Sequence, residues 1–154
     1  MDLILGSMEI ETDKKEYYVG EDIKGKIRLM LKKPIKARML KITLQGTIIY
    51  LYEKGRRSNS KIFYSQDLNL GTEQTYQNEY YDFKIPIPAN VYDPISNDIK
   101  EETYYKQVGS LKFYSYIPSI YWHLIGKLEV PSGPDVIKSV KIKVMLRGAE
   151  HLVK

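Results

Sequence analysis

Cysteine is absent from the 154 residues, which removes a disulfide framework, a thiolate nucleophile and a cysteine-ligated zinc from consideration. The absence agrees with a reducing compartment. Histidine occurs only twice, at His123 and His151, too few for a histidine-rich metal site. No apolar run is long enough to span a bilayer. The opening MDLILGS has no basic segment ahead of its short apolar patch, so it does not read as a signal peptide. A soluble, cytoplasmic protein is the expectation.

The signatures of catalysis are missing as well. There is no G-x-S-x-G, no glycine-rich phosphate loop, no H-E-x-x-H and no calcium loop of spaced aspartates closing on glutamate. A non-enzyme is expected, with no catalytic residue, no cofactor and no metal. Glu101 and Glu102 sit side by side and invite a cation, but adjacent acids are usually just solvated charges. His123 alternates with Trp122 and so points away from the core. A single-strand nucleic-acid platform needs aromatics interleaved with bases on one face. IFYSQ and KFYSY meet that description only weakly, so nucleic acid is not an expected partner.

What is present is tyrosine, fourteen of them, within an ordinary 43% hydrophobic and 28% charged composition and a net charge of +5. Tyrosine suits sheet surfaces and the rims of binding faces alike. Lysine, isoleucine and tyrosine are plentiful beside only three alanines, which suits an A+T-rich, thermophilic source. The length fits one domain spanning residues 1–154, large enough to bury a core unaided.

Period-two alternation dominates the chain. Ile23, Gly25, Ile27, Leu29 and Leu31 fall on one side of a first run, with Lys24, Lys26, Arg28 and Met30 on the other. After a Lys-Pro corner, Leu40, Ile42, Leu44 and Gly46 face inward while Lys41, Thr43 and Gln45 face out, and Ile48, Tyr50 and Tyr52 continue that phase. The two runs read as strands of one sandwich half joined by a short corner. The isolated Gly46 marks a bulge or a close backbone approach.

A strand over residues 2–12 precedes this pair, and 53–60 is a plain loop. KIFYSQDL is a strand, 69–74 a turn, and 75–88 a longer strand with Tyr81, Phe83, Ile85 and Ile87 on one face. Pro86 and Pro88 require that strand to end there or lie at a sheet edge. Residues 89–117 form an irregular connection long enough to be functional or to hide a short element. Ile120, Trp122, Leu124, Gly126, Leu128 and Val130 then share a face. After the turn at 131–135, Val140, Ile142, Val144 and Leu146 point inward against Lys141, Lys143 and Arg147. No segment sustains a helical period. The expected fold is all-β, an antiparallel sandwich of about seven strands with immunoglobulin-like topology.

The order of features resembles the amino-terminal domain of the arrestin family. YYVGEDIKGKI, Tyr17 to Ile27, reads as a Y-x-x-G-E-x-I-x-G-x-I opening, with Gly20-Glu21, Ile23, Gly25 and Ile27 in place. YDFKIPIPANVYDPIS and IYWHLIGKLEV resemble two later strands of that family, in the same order. The resemblance implies an adaptor without a catalytic site, binding protein partners through acidic or phosphorylated segments. Members normally carry two such sandwiches, whereas this length has room for one. The candidate ligand-binding residues are the two outward basic rows, Lys24, Lys26 and Arg28, and Lys141, Lys143 and Arg147. The plainer reading is a lysine ladder that keeps a sheet soluble and unpaired. The alternative function is a structural, self-assembling sandwich that forms a homo-oligomer, a class that includes viral proteins.

Overall fold

The computed structural model describes residues 5–52, 58–96 and 116–146. Its ten strands are β1 (Gly6–Thr12), β2 (Glu16–Tyr18), β3 (Asp22–Leu31), β4 (Ile35–Ala37), β5 (Met39–Tyr52), β6 (Ser58–Gly71), β7 (Gln74–Tyr76), β8 (Tyr80–Pro86), β9 (Tyr116–Glu129) and β10 (Val136–Met145). One 3-10 turn, Asp93–Ile95, lies in the long connection after β8. It occupies the place where a short hidden element was expected, and residues 97–115 of that connection lie outside the described residues.

The strands form a three-stranded sheet ordered β1-β3-β8, a five-stranded sheet ordered β2-β10-β9-β5-β6, and a two-stranded ladder of β4 with β7. The two larger sheets face each other across the core, and the alternation of apolar residues holds on both. Ile23, Ile27 and Ile85 from one sheet and Leu40, Ile42, Leu44, Leu124 and Leu128 from the other are fully buried. The close approach of the sheets depends on Gly126. A Cβ there would lie 2.5 Å from the Met8 sulfur and 3.3 Å from the tips of Ile10 and Ile27.

The Lys-Pro corner differs from its expected role. β3 and β5 stand in opposing sheets, so residues 32–38 carry the chain across the sandwich rather than around a hairpin. β4 is pinned on the way by β7, with Ile35 opposite Tyr76 and Ala37 opposite Gln74. The expected strand over 75–88 is broken into β7 and β8 for a related reason. The Asn78 side-chain oxygen accepts the backbone N–H of Leu31 at 2.6 Å, replacing a ladder bond where the chain changes sheets. β8 then ends at Pro86 on a sheet edge, the placement its prolines demand.

Two further differences concern pairing. β2 runs parallel to β10, with Glu16 opposite Lys143 and Tyr18 opposite Met145, an exception in a mostly antiparallel fold. β6 begins at Ser58 and runs on to Gly71, through parts of the segments expected as a loop and a turn; residues 53–57 lie outside the described residues. Leu146 does not point into the core as expected. β10 stops one residue before it, and its side chain is 45% exposed.

Candidate interaction surfaces

Trp122 organises one end of the five-stranded sheet. Its indole N–H donates to the Tyr92 hydroxyl at 2.8 Å, and that hydroxyl donates to the Val144 carbonyl at 2.6 Å. Phe63 meets the indole edge-on at 5.3 Å and Tyr92 does so at 5.9 Å. Space for these rings comes from Gly46, where a Cβ would lie 2.8 Å from Phe63 and 2.9 Å from Trp122. The ladder of β5 with β6 also slips at Gly46 and Thr47, so the glycine marks both a bulge and a close approach. Burial raises the Tyr92 hydroxyl pKa, a trend its bond from Trp122 opposes.

With Trp122 fixed inward, strand alternation turns Tyr121 and His123 to the outer face. His123 stands opposite Lys141 on β10 and Gln45 on β5. Gln45, Thr47, Ile49, Tyr121, His123 and Lys141 line a shallow depression of about 330 Å3 on this face. Burial, and then the neighbouring Lys141 ammonium, hold the His123 pKa below its ordinary 6.5.

The outward cations of this sheet differ in their company. Lys41 pairs with Asp67 at 3.4 Å, Lys127 with Asp135 at 3.5 Å, and Lys143 with Glu16 at 4.0 Å. The Thr43 hydroxyl, bonded to Asp67 at 2.6 Å, keeps that carboxyl below its ordinary pKa. Lys141 has no carboxylate partner among the described residues. Its ammonium instead lies 5.5 Å from the centre of the Tyr121 ring. Arg147, the third member of this expected row, lies outside the described residues.

The other row, Lys24, Lys26 and Arg28, faces outward from the middle strand of the three-stranded sheet. Glu11 stands opposite Lys26, and Glu9 opposite Arg28, on β1. On β8, Asp82 stands opposite Lys26, and Lys84 opposite Lys24. Arg28 reaches Glu9 at 3.4 Å, and both Lys26 and Arg28 lie within 6 Å of the Tyr80 ring. Asp13, whose pKa is lowered chiefly by the hydrogen bond from Tyr17, accepts the backbone N–H of Lys24. The fold keeps the two rows on different sheets and does not bring them together.

A cleft that sequence reasoning did not single out opens beside Trp122. Tyr92, Ile120, Ile142, Val144, Met145 and Leu146 contribute to its walls, and it encloses about 420 Å3. The signal was faint, because Tyr92 belongs to the irregular connection and meets β10 only through a contact 52 residues away in sequence. Among the described residues, no group of three histidines or carboxylates is placed to hold a metal ion. Nor is any helix among them long and apolar enough to cross a membrane. Glu101 and Glu102 lie outside the described residues.

Two facing sheets with polar outer faces, a bulged long strand and a strand that ends on prolines define an arrestin-like all-β fold. The chain belongs to the arrestin family: the family model "Arrestin (or S-antigen), N-terminal domain" matches residues 7–89. The crystal structure of Spo0M, a sporulation control protein from Bacillus subtilis, superposes with a TM-score of 0.62 at 13% identity. That match covers 92% of this chain and 49% of Spo0M, so the chain spans about half the length of that neighbour. At this identity the likeness is one of fold. No curated protein matches the chain by sequence.

Proposed function

We propose that the chain is a non-enzymatic protein-interaction module, a cytoplasmic adaptor or scaffold. It works as one sandwich domain over residues 1–154 and takes acidic segments of partner proteins on the outer face of the five-stranded sheet. The observation that carries the reading is Lys141, an outward cation without a carboxylate partner among the described residues, at the rim of a depression. An arriving carboxylate or phosphate there gains a charge-assisted hydrogen bond without first breaking an ion pair. Lys143 adds a second cation, loosely held by Glu16 at 4.0 Å. The family's association with protein binding supports this reading.

The row on β3 supports it less well, because a ligand at Lys26 or Arg28 has to compete with Glu9, Glu11 and Asp82. Capture of an acidic peptide pool by the immobilised protein at about 0.15 M salt, where the Debye length is about 8 Å, separates the two rows. Lys141→Glu should reduce capture several-fold. The triple change at Lys24, Lys26 and Arg28 should leave it within about twofold, because nonspecific attraction is weak and screened. Equal loss from both variants, with folding intact, removes a specific site. No capture by the parent protein removes the acidic ligand.

A further inference from the structure

The edges of the sheets are not equally protected. β2, an edge of the five-stranded sheet, is three residues long. In the three-stranded sheet, β8 ends in Pro86 and carries Asp82 and Lys84, and β1 carries Glu9 and Glu11 in seven residues. Short length, proline and charge are the usual means by which edges avoid pairing with another chain. β6 uses none of them fully. It runs for fourteen residues without proline and bears two charged side chains, Lys61 and Asp67. Asp67 is already engaged by Lys41 and Thr43. Ile62 on the same strand is 56% exposed. Among the described residues, no strand pairs with the outer side of β6.

We propose that this edge pairs antiparallel with β6 of a second copy of the chain, about a twofold axis between Phe63 and Tyr64. The register follows from the bulge. Ser60 and Ile62 stand opposite the outward Ile49 and Thr47, and Ser65 and Asp67 opposite the outward Gln45 and Thr43. Lys61 and Gln66 stand opposite the inward Ile48 and Leu44. Phe63 is the extra residue, since Ile62 pairs with Thr47 and Tyr64 with Gly46. The alternation of β6 therefore reverses its phase at Phe63.

Residues directly opposite each other in an antiparallel ladder share a face. With the axis between Phe63 and Tyr64, the two bulges meet at the centre and the faces agree on both sides. Ile62 then opposes Ser65, Ser60 opposes Asp67, and Lys61 opposes Gln66, each pair formed twice. The Ser60 hydroxyl can donate to a carboxylate, and the Lys61 ammonium to an amide oxygen. No like charges are opposed. A twofold axis is the symmetry expected of a homodimer, and the result is one continuous sheet formed by both copies.

Sedimentation of the full 154-residue chain over micromolar to millimolar concentrations tests this, with a reversible monomer–dimer equilibrium expected. Q66K opposes two lysines twice and should weaken the dimer about tenfold. K61E/Q66K, which replaces each repulsion by an ion pair, should restore it. Because the chain lacks cysteine, mixing I62C with S65C under mild oxidation should give a cross-linked heterodimer faster than either variant alone. A parent that stays monomeric throughout overturns the proposal, including one that instead captures a strand of another protein. So does a dimer indifferent to Q66K, or an I62C and S65C mixture that cross-links no faster than its components.

Discussion

The row Lys24, Lys26 and Arg28 and the row Lys141 and Lys143 are written alike in the sequence, as cations at every second position of a strand. The sheets give them different neighbours. β3 lies between two strands, and Lys26 and Arg28 meet Glu9, Glu11 and Asp82 across the ladders, while Lys24 stands opposite Lys84. β10 lies between β2 and β9, and Lys141 meets His123 and the Tyr121 ring. Period two decides which face a side chain takes, but the potential on that face is set by strand order, which joins residues far apart in sequence. A basic row is thus a binding surface only where its lateral neighbours leave it one.

The outer face of β9 depends on the core beneath it. Trp122→Ala takes away a side chain that is 2% exposed and should cost about 3 to 5 kcal/mol. Thermal denaturation should show a large fall in midpoint, with an unchanged curve meaning that Tyr121 and His123 are not held up by the core at this point. Tyr92→Phe is the milder version. It leaves the Trp122 N–H and the Val144 carbonyl without their shared partner and should cost about 1 to 3 kcal/mol. A loss below a few tenths would mean that water replaces the hydroxyl.

The β3 row can be given neighbours like those of the β10 row. Glu9→Gln with Glu11→Gln removes two carboxylates from the strand beside Lys26 and Arg28, in an exposed ladder where each ion pair is worth about 1 kcal/mol or less. Stability should barely change. Capture of acidic peptide by this sheet at low salt should rise several-fold, and the gain should vanish on adding the triple change at Lys24, Lys26 and Arg28. If the double variant gains nothing, cross-strand neutralisation is not what separates the two faces.

Much of this architecture was legible in the chain, and the places where it was not share a cause. Local alternation located the inward faces of β3, β5, β8 and β9, because each buried residue there is announced by its own strand. Gly46 announced the bulge, and Pro86 the edge, because both act through their own backbone. The parallel pairing of β2 with β10 was not readable, since three residues carry too little pattern to show a partner more than a hundred positions away. The small β4 and β7 ladder was hidden for the same reason. Leu146 kept the period but lost the core, since a phase says nothing about where the strand ends. The cancellation at Lys26 and Arg28 and the open side of Lys141 depend wholly on strand order, so the candidate surface was visible as a list of residues but not as a choice between them.

His123 gives the outer face of β9 a modest dependence on pH. It is partly buried, it faces Lys141 from β10 and Gln45 from β5, and Lys143 is the other nearby cation on β10; no carboxylate stands directly opposite it. Burial first, then Lys141, keeps its pKa below 6.5. The unfolded imidazole therefore takes up its proton at higher pH than the folded one. Stability from this group is full above about 6.5 and is lost as pH falls toward the depressed folded value. Lys141→Gln removes the second cause and should move the imidazole titration, followed by proton NMR, upward toward the ordinary value. A bound acidic segment should move it the same way, because a carboxylate beside the ring favours the imidazolium. Capture by the β10 face should then tighten as the pH drops through that range, while capture engineered on the β3 face, which has no histidine among the described residues, should not. An imidazole titration indifferent to both Lys141→Gln and saturating acidic peptide would place the ligand elsewhere.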